Sequence, residues 1–312
     1  MQQPVQFGIA IPQAFAGAAV DVTLIENFLR KADELGYHSV WVQEVIDAGL
    51  LEPVSLLTYA AALTQRVRLG SAILLTTLRS PLQVAKTLST LDNLSRGRLI
   101  VGVGLGSNTE VYPGYGIPAE KRLRRFVEGI ELIKTLWTED KVSRDGPFWK
   151  LVDEQVEPKP VQKPHPPLWF GGSHPNALRR AAQLGSGWLG GRTSTEKFAA
   201  QVMVLRQCLD ELQRDSVDFM IGKRVYIAVD KDKSRAEQKL NQWFSEVYNV
   251  RDIASTTAIY GGAQECVDKL GDVVSAGAKL LILNPVSDHL EHLDMLASEV
   301  LPKIEPAWKS TA

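Results

Sequence analysis

The chain has 312 residues, 45% of them hydrophobic and 23% charged, an ordinary globular composition that can bury a large core. Its 35 Lys and Arg nearly balance 36 Asp and Glu; with no block of like charge, nothing marks a nucleic acid or an anionic lipid surface as a partner. The opening MQQPVQFGIAIP lacks a basic start and a long apolar run, so neither a signal peptide nor a membrane span is expected and the cytoplasm is the default location.

Short β-branched or apolar runs alternate along the chain with longer segments of helical period, the pattern of βαβ units and a parallel sheet. Strands are expected at Gln6–Ile11, Ser39–Gln43, Val67–Leu75, Leu99–Gly104, Pro167–Phe170, Gly187–Leu189, Arg224–Val229 and Lys279–Leu283. Helices are expected at Val22–Leu35, Pro53–Leu63, Pro81–Leu94, Glu120–Leu136, Asn176–Leu184, Thr195–Gln213, Ser234–Val247 and Leu290–Leu301. Ser80 before Pro81 and Ser194 before Thr195 are start signals, and Gly36 and Gly185 stand where a helix end favours a left-handed residue. Eight strand-helix pairs close more economically as a (β/α)8 TIM barrel than as an open α/β sheet. One domain spanning 1–312 is expected, with excursions near 105–118, 142–166 and 251–277. The second carries an Asp145-Gly146 turn between extended runs and reads as a hairpin; the third inserts an extra helix before the last strand.

In such a barrel the chemistry sits at the C-terminal ends of the strands. There, Trp169-Phe170-Gly171-Gly172-Ser173-His174-Pro175 passes from a strand through two glycines into a helix. Free backbone N–H groups and the helix dipole suit a phosphate. Gly190-Gly191-Arg192-Thr193, after the next strand, can close over the same group with Arg192 supplying charge. The alternative is that both glycine pairs only turn the chain tightly.

Val101-Gly102-Val103-Gly104-Leu105-Gly106 imitates a dinucleotide fingerprint, but its glycines alternate inside a strand and no helix opens on the last one. Such glycines are expected to leave the barrel interior open to a flat ligand. Glu44 follows a strand in an apolar setting, placed either to hold substrate or relay a proton, or to form an ion pair with Arg79 at the barrel mouth. Tyr112 and Tyr115 either line a pocket or pack their loop. His38 falls on the opposite face of the barrel, and His174 lies in the phosphate loop. No metal-ligand spacing occurs, and the two cysteines, Cys208 and Cys266, read as buried thiols.

Several stretches taken in order resemble the luciferase-like monooxygenase superfamily: Ala32–Tyr37 with Ser39–Val42, Arg68–Leu74, LDNLSRGRLIVGVGLG over Leu91–Gly106, Glu157–Gln162, PPLWFGG over Pro166–Gly172, Ala181-Ala182 into Gly187-Trp188, and Leu283–Val286. The resemblance runs nearly end to end. It implies a flavin- or deazaflavin-dependent oxidoreductase, binding FMN or coenzyme F420 and acting on a small organic substrate by hydride transfer or oxygen activation. A strictly F420-dependent reductase or dehydrogenase is the alternative, and a non-catalytic flavin-binding barrel the second.

The resemblance further implies a non-prolyl cis peptide at Ala72-Ile73 beneath the ring, Thr76 and Gly104 to Gly106 near the ring edge, and a phosphate site at Gly171, Gly172, Ser173, His174, Gly191 and Arg192. For the oxidoreductase reading Glu44 is the one acid–base candidate, and Gln13, Ser107, Asn108 and Tyr112 are candidates for the substrate pocket. A homodimer and, for oxygen chemistry, a separate flavin reductase are implied partners. The sequence departs from the deazaflavin pattern in having Glu44-Val45 where many relatives place Asp-His, and Ser107 where some have a carboxylate. It departs from the bacterial luciferases in having Leu105 where they use an arginine.

Overall fold

The computed structural model describes residues 4–306 and 308, apart from 16, 47 and 107. In chain order it runs β1 (Gln6–Ala10), α1 (Val22–Glu34), β2 (Ser39–Val42), α2 (Pro53–Leu63), β3 (Arg68–Ser71), α3 (Pro81–Leu94), β4 (Leu99–Val103), α4 (Arg122–Thr138), β5 (Val142–Asp145), β6 (Lys150–Glu154), β7 (Leu168–Gly171), α5 (Pro175–Leu184), β8 (Gly187–Gly190), α6 (Thr195–Glu211), β9 (Met220–Val229), α7 (Lys233–Tyr248), α8 (Ala254–Thr257), β10 (Ala258–Gly261), α9 (Ala263–Ser275), β11 (Leu280–Pro285), α10 (His289–Met295) and α11 (Leu301–Ile304). Eight parallel strands close in the order β9-β11-β1-β2-β3-β4-β7-β8, with β8 returning to β9. This is the expected (β/α)8 barrel, and all eight expected strands are in it. No helix among the described residues is long and apolar enough to cross a membrane.

Helix starts follow local chemistry. The Asp21 carboxylate accepts from Leu24 N at 2.8 Å, and that of Glu52 from Ser55 N at 2.7 Å, just ahead of Pro53 in the first turn of α2. Ser194 caps α6, whereas Ser80 makes no side-chain cap bond. Gly36 takes the left-handed backbone expected of it (φ 78°), but Gly185 is extended (φ −102°).

Successive strand residues alternate between the interior and the helix layer. The interior centres on Trp41 from β2 stacked on Trp169 from β7, centroids 5.5 Å apart, with Ile100, Leu189, Leu280 and Ile282 around them. Gly8 and Gly70 make room for this pair: a Cβ on Gly70 would lie 2.3 Å from Trp41 Cε3.

Three expectations need correction. The third strand stops at Ser71 instead of reaching Leu75, because the chain bulges out of the sheet at Ala72-Ile73, a cis peptide, and rejoins β4 only through the Leu74–Val103 bridge. The 251–277 excursion holds a strand as well as the helix α9: β10 pairs with the outer half of β9, Ala258 opposite Tyr226, because that ten-residue strand outruns the barrel wall. The last helix is broken, with α10 widening into a π-helical stretch at Leu296–Val300 before α11, where Pro302 lacks a backbone N–H. The 142–166 excursion is the expected hairpin, β5 antiparallel to β6.

Candidate active site

At the C-terminal ends of the strands lies a cleft of about 510 Å³. Inward-facing positions that are apolar or glycine deep in the barrel become polar here: Trp41 is followed on its face by Gln43, Gly222 by Arg224 and Tyr226, and Ile282 by Asn284. The bulge at Ala72-Ile73 forms part of the wall, with Gly104, Gly106, Gly171 and Gly172 beside it.

The interior glycines do not leave space for a ligand, contrary to expectation, because the protein fills it. A Cβ on Gly102 would lie 2.0 Å from the Ser71 carbonyl oxygen, and one on Gly104 would lie 1.8 Å from Ile73 Cδ1. Their small size admits the β3 bulge, which hydrogen-bonds across through Ser71 Oγ and Leu74 N to the Gly102 carbonyl.

Glu44 lines the cleft as an ion pair, the second of its two readings. Its Oε1 is 2.6 Å from Arg79 Nη2, and its Oε2 accepts from Arg79 Nη1 at 2.9 Å and Leu75 N at 2.6 Å. Both oxygens are thus committed to holding the segment that follows the bulge.

Gly171 and Gly172 lead into α5, and Gly172 has φ 116°, a conformation that favours glycine. Its carbonyl accepts from Trp188 Nε1 at 2.8 Å. Ser173 and His174 are exposed and outside the cleft lining; His174 caps α5, its Nδ1 accepting from Asn176 N at 3.2 Å. After the adjacent strand β8, a Cβ on Gly191 would meet nothing within 4 Å, and Arg192 lies over the Tyr248 ring, 4.4 Å from its centroid.

The other expected residues separate. Asn108 lines the cleft, while Ser107 lies outside the described residues. Thr76 is buried in a 3-10 turn, Thr76–Leu78, behind the wall. Gln13 is spent on backbone, donating to the Gln43 and Leu51 carbonyls at 2.7 Å each and accepting from Gln43 N. Tyr112 is packed, its hydroxyl 3.1 Å from both Thr77 Oγ1 and the Leu105 carbonyl. Tyr115 is exposed.

Several residues in and around the cleft were not expected from the sequence. Arg180 shares a face of α5 with Ala177 and turns into the cleft; burial lowers its pKa, and no carboxylate opposes that effect. Tyr248, at the end of α7, donates to Gln43 Oε1 at 2.8 Å and accepts from Tyr226 at 2.5 Å. Burial and the neighbouring Tyr248 push the Tyr226 hydroxyl well above the ordinary tyrosine range. Lys223, on the outward face of β9, reaches back under the next loop and donates to the Gly191 and Thr193 carbonyls at 2.6 and 2.7 Å and to Thr193 Oγ1 at 2.9 Å. The signal for these was parity: two adjacent cations inside an apolar strand must face opposite sides of the wall. Tyr248 and Arg180 had none, since only tertiary packing brings their helices to the mouth.

A second depression of about 430 Å³ beside β9 and α7 is lined by charges that answer one another, Asp230 to Arg235 at 2.6 Å and Lys239 to Asp288 at 2.5 Å. The cleft differs. Among the described residues its only lining carboxylate is Glu44, already paired, while Arg180, Arg192 and Arg224 have no acidic partner.

The sequence model of the family described as luciferase-like monooxygenase matches residues 5–280. The chain belongs to that family. An uncharacterised protein of Mycobacterium tuberculosis is 38% identical over 141 residues, 45% of this chain, and the match spans about half the length of that relative. An F420-dependent glucose-6-phosphate dehydrogenase of Beutenbergia cavernae is 27% identical, covering 88% of this chain and 90% of its own length. Among solved structures, an F420-dependent secondary alcohol dehydrogenase with an F420-acetone adduct superposes with TM-score 0.83 at 21% identity, over 97% of this chain and all of its own. The oxygenating constituent of 3,6-diketocamphane monooxygenase from Pseudomonas putida, in complex with FMN, does so with TM-score 0.79 at 15% identity, over 96% of this luciferase-like chain and 98% of its own. At these identities the two structures speak for the barrel.

Proposed function

We propose that this luciferase-like barrel is an oxidoreductase that holds FMN or coenzyme F420 in the cleft by its phosphate and turns over a small organic substrate beside the ring. The observation that carries this is the pair of arginines, Arg180 and Arg192, that line one cleft beside the neighbouring glycine turns at Gly171–Gly172 and Gly190–Gly191 with no acidic partner among the described residues. Guanidinium groups and backbone N–H groups at a helix start are the donors a phosphate needs, and the open space at Gly191 lets a ligand approach the backbone. The relative in Beutenbergia cavernae favours F420 and dehydrogenase chemistry as the second reading.

When bound, the ring supplies hydride transfer or, as a reduced flavin, oxygen chemistry. The chain supplies position. Glu44 fixes the bulge through Leu75 N and Arg79, a positioning role. Tyr248 is the hydroxyl placed to meet substrate: it lines the cleft, and Tyr226 and Gln43 orient it. Asn108 joins the substrate side. The same reading treats the chain as one unit, a homodimer, with a separate reductase on the oxygen-using branch. The two buried free thiols, with burial pushing Cys266 up to about 12, suit a reducing cytoplasm.

Equilibrium titration of FMN and F420 into the wild-type chain and into Arg180→Met tests it. Loss of one charge-assisted bond, about 1.5–3 kcal/mol, should weaken the cofactor about tenfold or more. Unchanged affinity, or no binding of either by the wild type, contradicts the assignment.

A further inference from the structure

Arg224 lines the cleft with no counter-charge among the described residues. It is 7% exposed, on the inward face of β9. One Nη donates to the Ala72 carbonyl at 3.1 Å, the other to Asn284 Oδ1, and Nε is buried without a partner. The guanidinium carbon lies 5.6 Å from the Tyr226 ring centroid. An arginine does not shed its proton, so this cation persists. Dipoles from Ala72 and Asn284 orient it without neutralising it, and a buried charge that no ion answers is costly to keep. Its field acts on whatever occupies the cleft.

Arg180 and Arg192 already serve the phosphate, so Arg224 is left for the ring or its substrate. A flavin-type ring that accepts a hydride, two electrons and one proton, gains one negative charge unless a further proton follows. On the strength of the cofactor reading above, we propose that Arg224 is the charge that makes this cleft bind the reduced, anionic form of its ring cofactor more tightly than the oxidised form. Asn284 and the Ala72 carbonyl hold it in register with the bulge.

The test is anaerobic titration of oxidised and reduced FMN, and of oxidised and reduced F420, into the full-length wild type, Arg224→Lys and Arg224→Met. The wild type is expected to prefer the reduced form about tenfold or more, equivalent to about 30 mV for a two-electron couple. Arg224→Lys should keep most of that preference and Arg224→Met should lose it. A merely structural arginine would weaken both forms equally in Arg224→Met, and that outcome overturns the proposal. A second measurement needs only the wild type: by absorbance, the bound reduced cofactor should stay anionic at least tenfold further into acid than the free one. Protonation at the same pH as the free cofactor overturns the proposal even if Arg224→Met fails to fold. Binding without preference for either form sinks this inference alone, whereas no binding of either cofactor sinks the functional reading with it.

Discussion

Lys223 and Arg224 are neighbours in one strand, yet they serve opposite sides of the barrel wall. Lys223 is 3% exposed, and burial brings its pKa from the ordinary 10.5 down to about 7. Its three bonds to Gly191 and Thr193 need three donors, which only the ammonium form has. As pH rises through about 7, the loop carrying Arg192 should lose one bond and the site one positive charge. Affinity for the cofactor should therefore fall severalfold between about pH 6 and 8.5. In Lys223→Arg the step should vanish; an identical pH profile there would assign the step to another group. The stability sign is opposite: the folded pKa lies below the unfolded one, so burying the ammonium destabilises the fold below pH 7. That penalty is relieved between about 7 and 10.5.

At the scale of elements, glycines in strands decide what the barrel can hold. Gly70 sits under the buried Trp41 ring, so Gly70→Ala should overpack the interior and cost about 1–3 kcal/mol, read by denaturant unfolding. Gly271, in α9, has nothing within 4 Å of its would-be Cβ, so Gly271→Ala should gain about 0.5–1 kcal/mol. Equal effects would mean backbone propensity, not Trp41, governs Gly70. The eight barrel strands were legible in sequence because their apolar runs are bounded by helix-period segments. The four-residue β10 was not, because Ala-Ile-Tyr-Gly is too short to stand out and forms only against the free half of β9. The bulge at Ala72-Ile73 was visible through family resemblance alone; local residues read as one long strand from Val67 to Leu75. Within the site, the glycine turns and Arg192 were legible as loop chemistry. Arg224 was hidden by taking it as the first residue of its strand, since the strand in fact begins at Met220, which puts Arg224 deep enough to face the cleft.

Over the whole molecule the charge is nearly balanced, −1 in total, while among the described residues the cleft gathers Arg180, Arg192 and Arg224 around a single, already paired carboxylate. That local imbalance, on a barrel of the luciferase-like monooxygenase family, points to an anionic occupant rather than to a stabilising network, because arginines aimed at one cavity without acids repel one another. In the proposed reading their placement divides the labour, with two beside the glycine turns for a phosphate and one on the inward face of β9 for the ring. The measurement that tests this most directly is the affinity gained from the phosphate itself. FMN is compared with riboflavin, and F420 with its phosphate-free chromophore, on the wild-type chain. In one of the two pairs the phosphorylated member should bind about tenfold tighter or more, as one charge-assisted contact already requires; equal affinities within both pairs would contradict a phosphate held in the cleft.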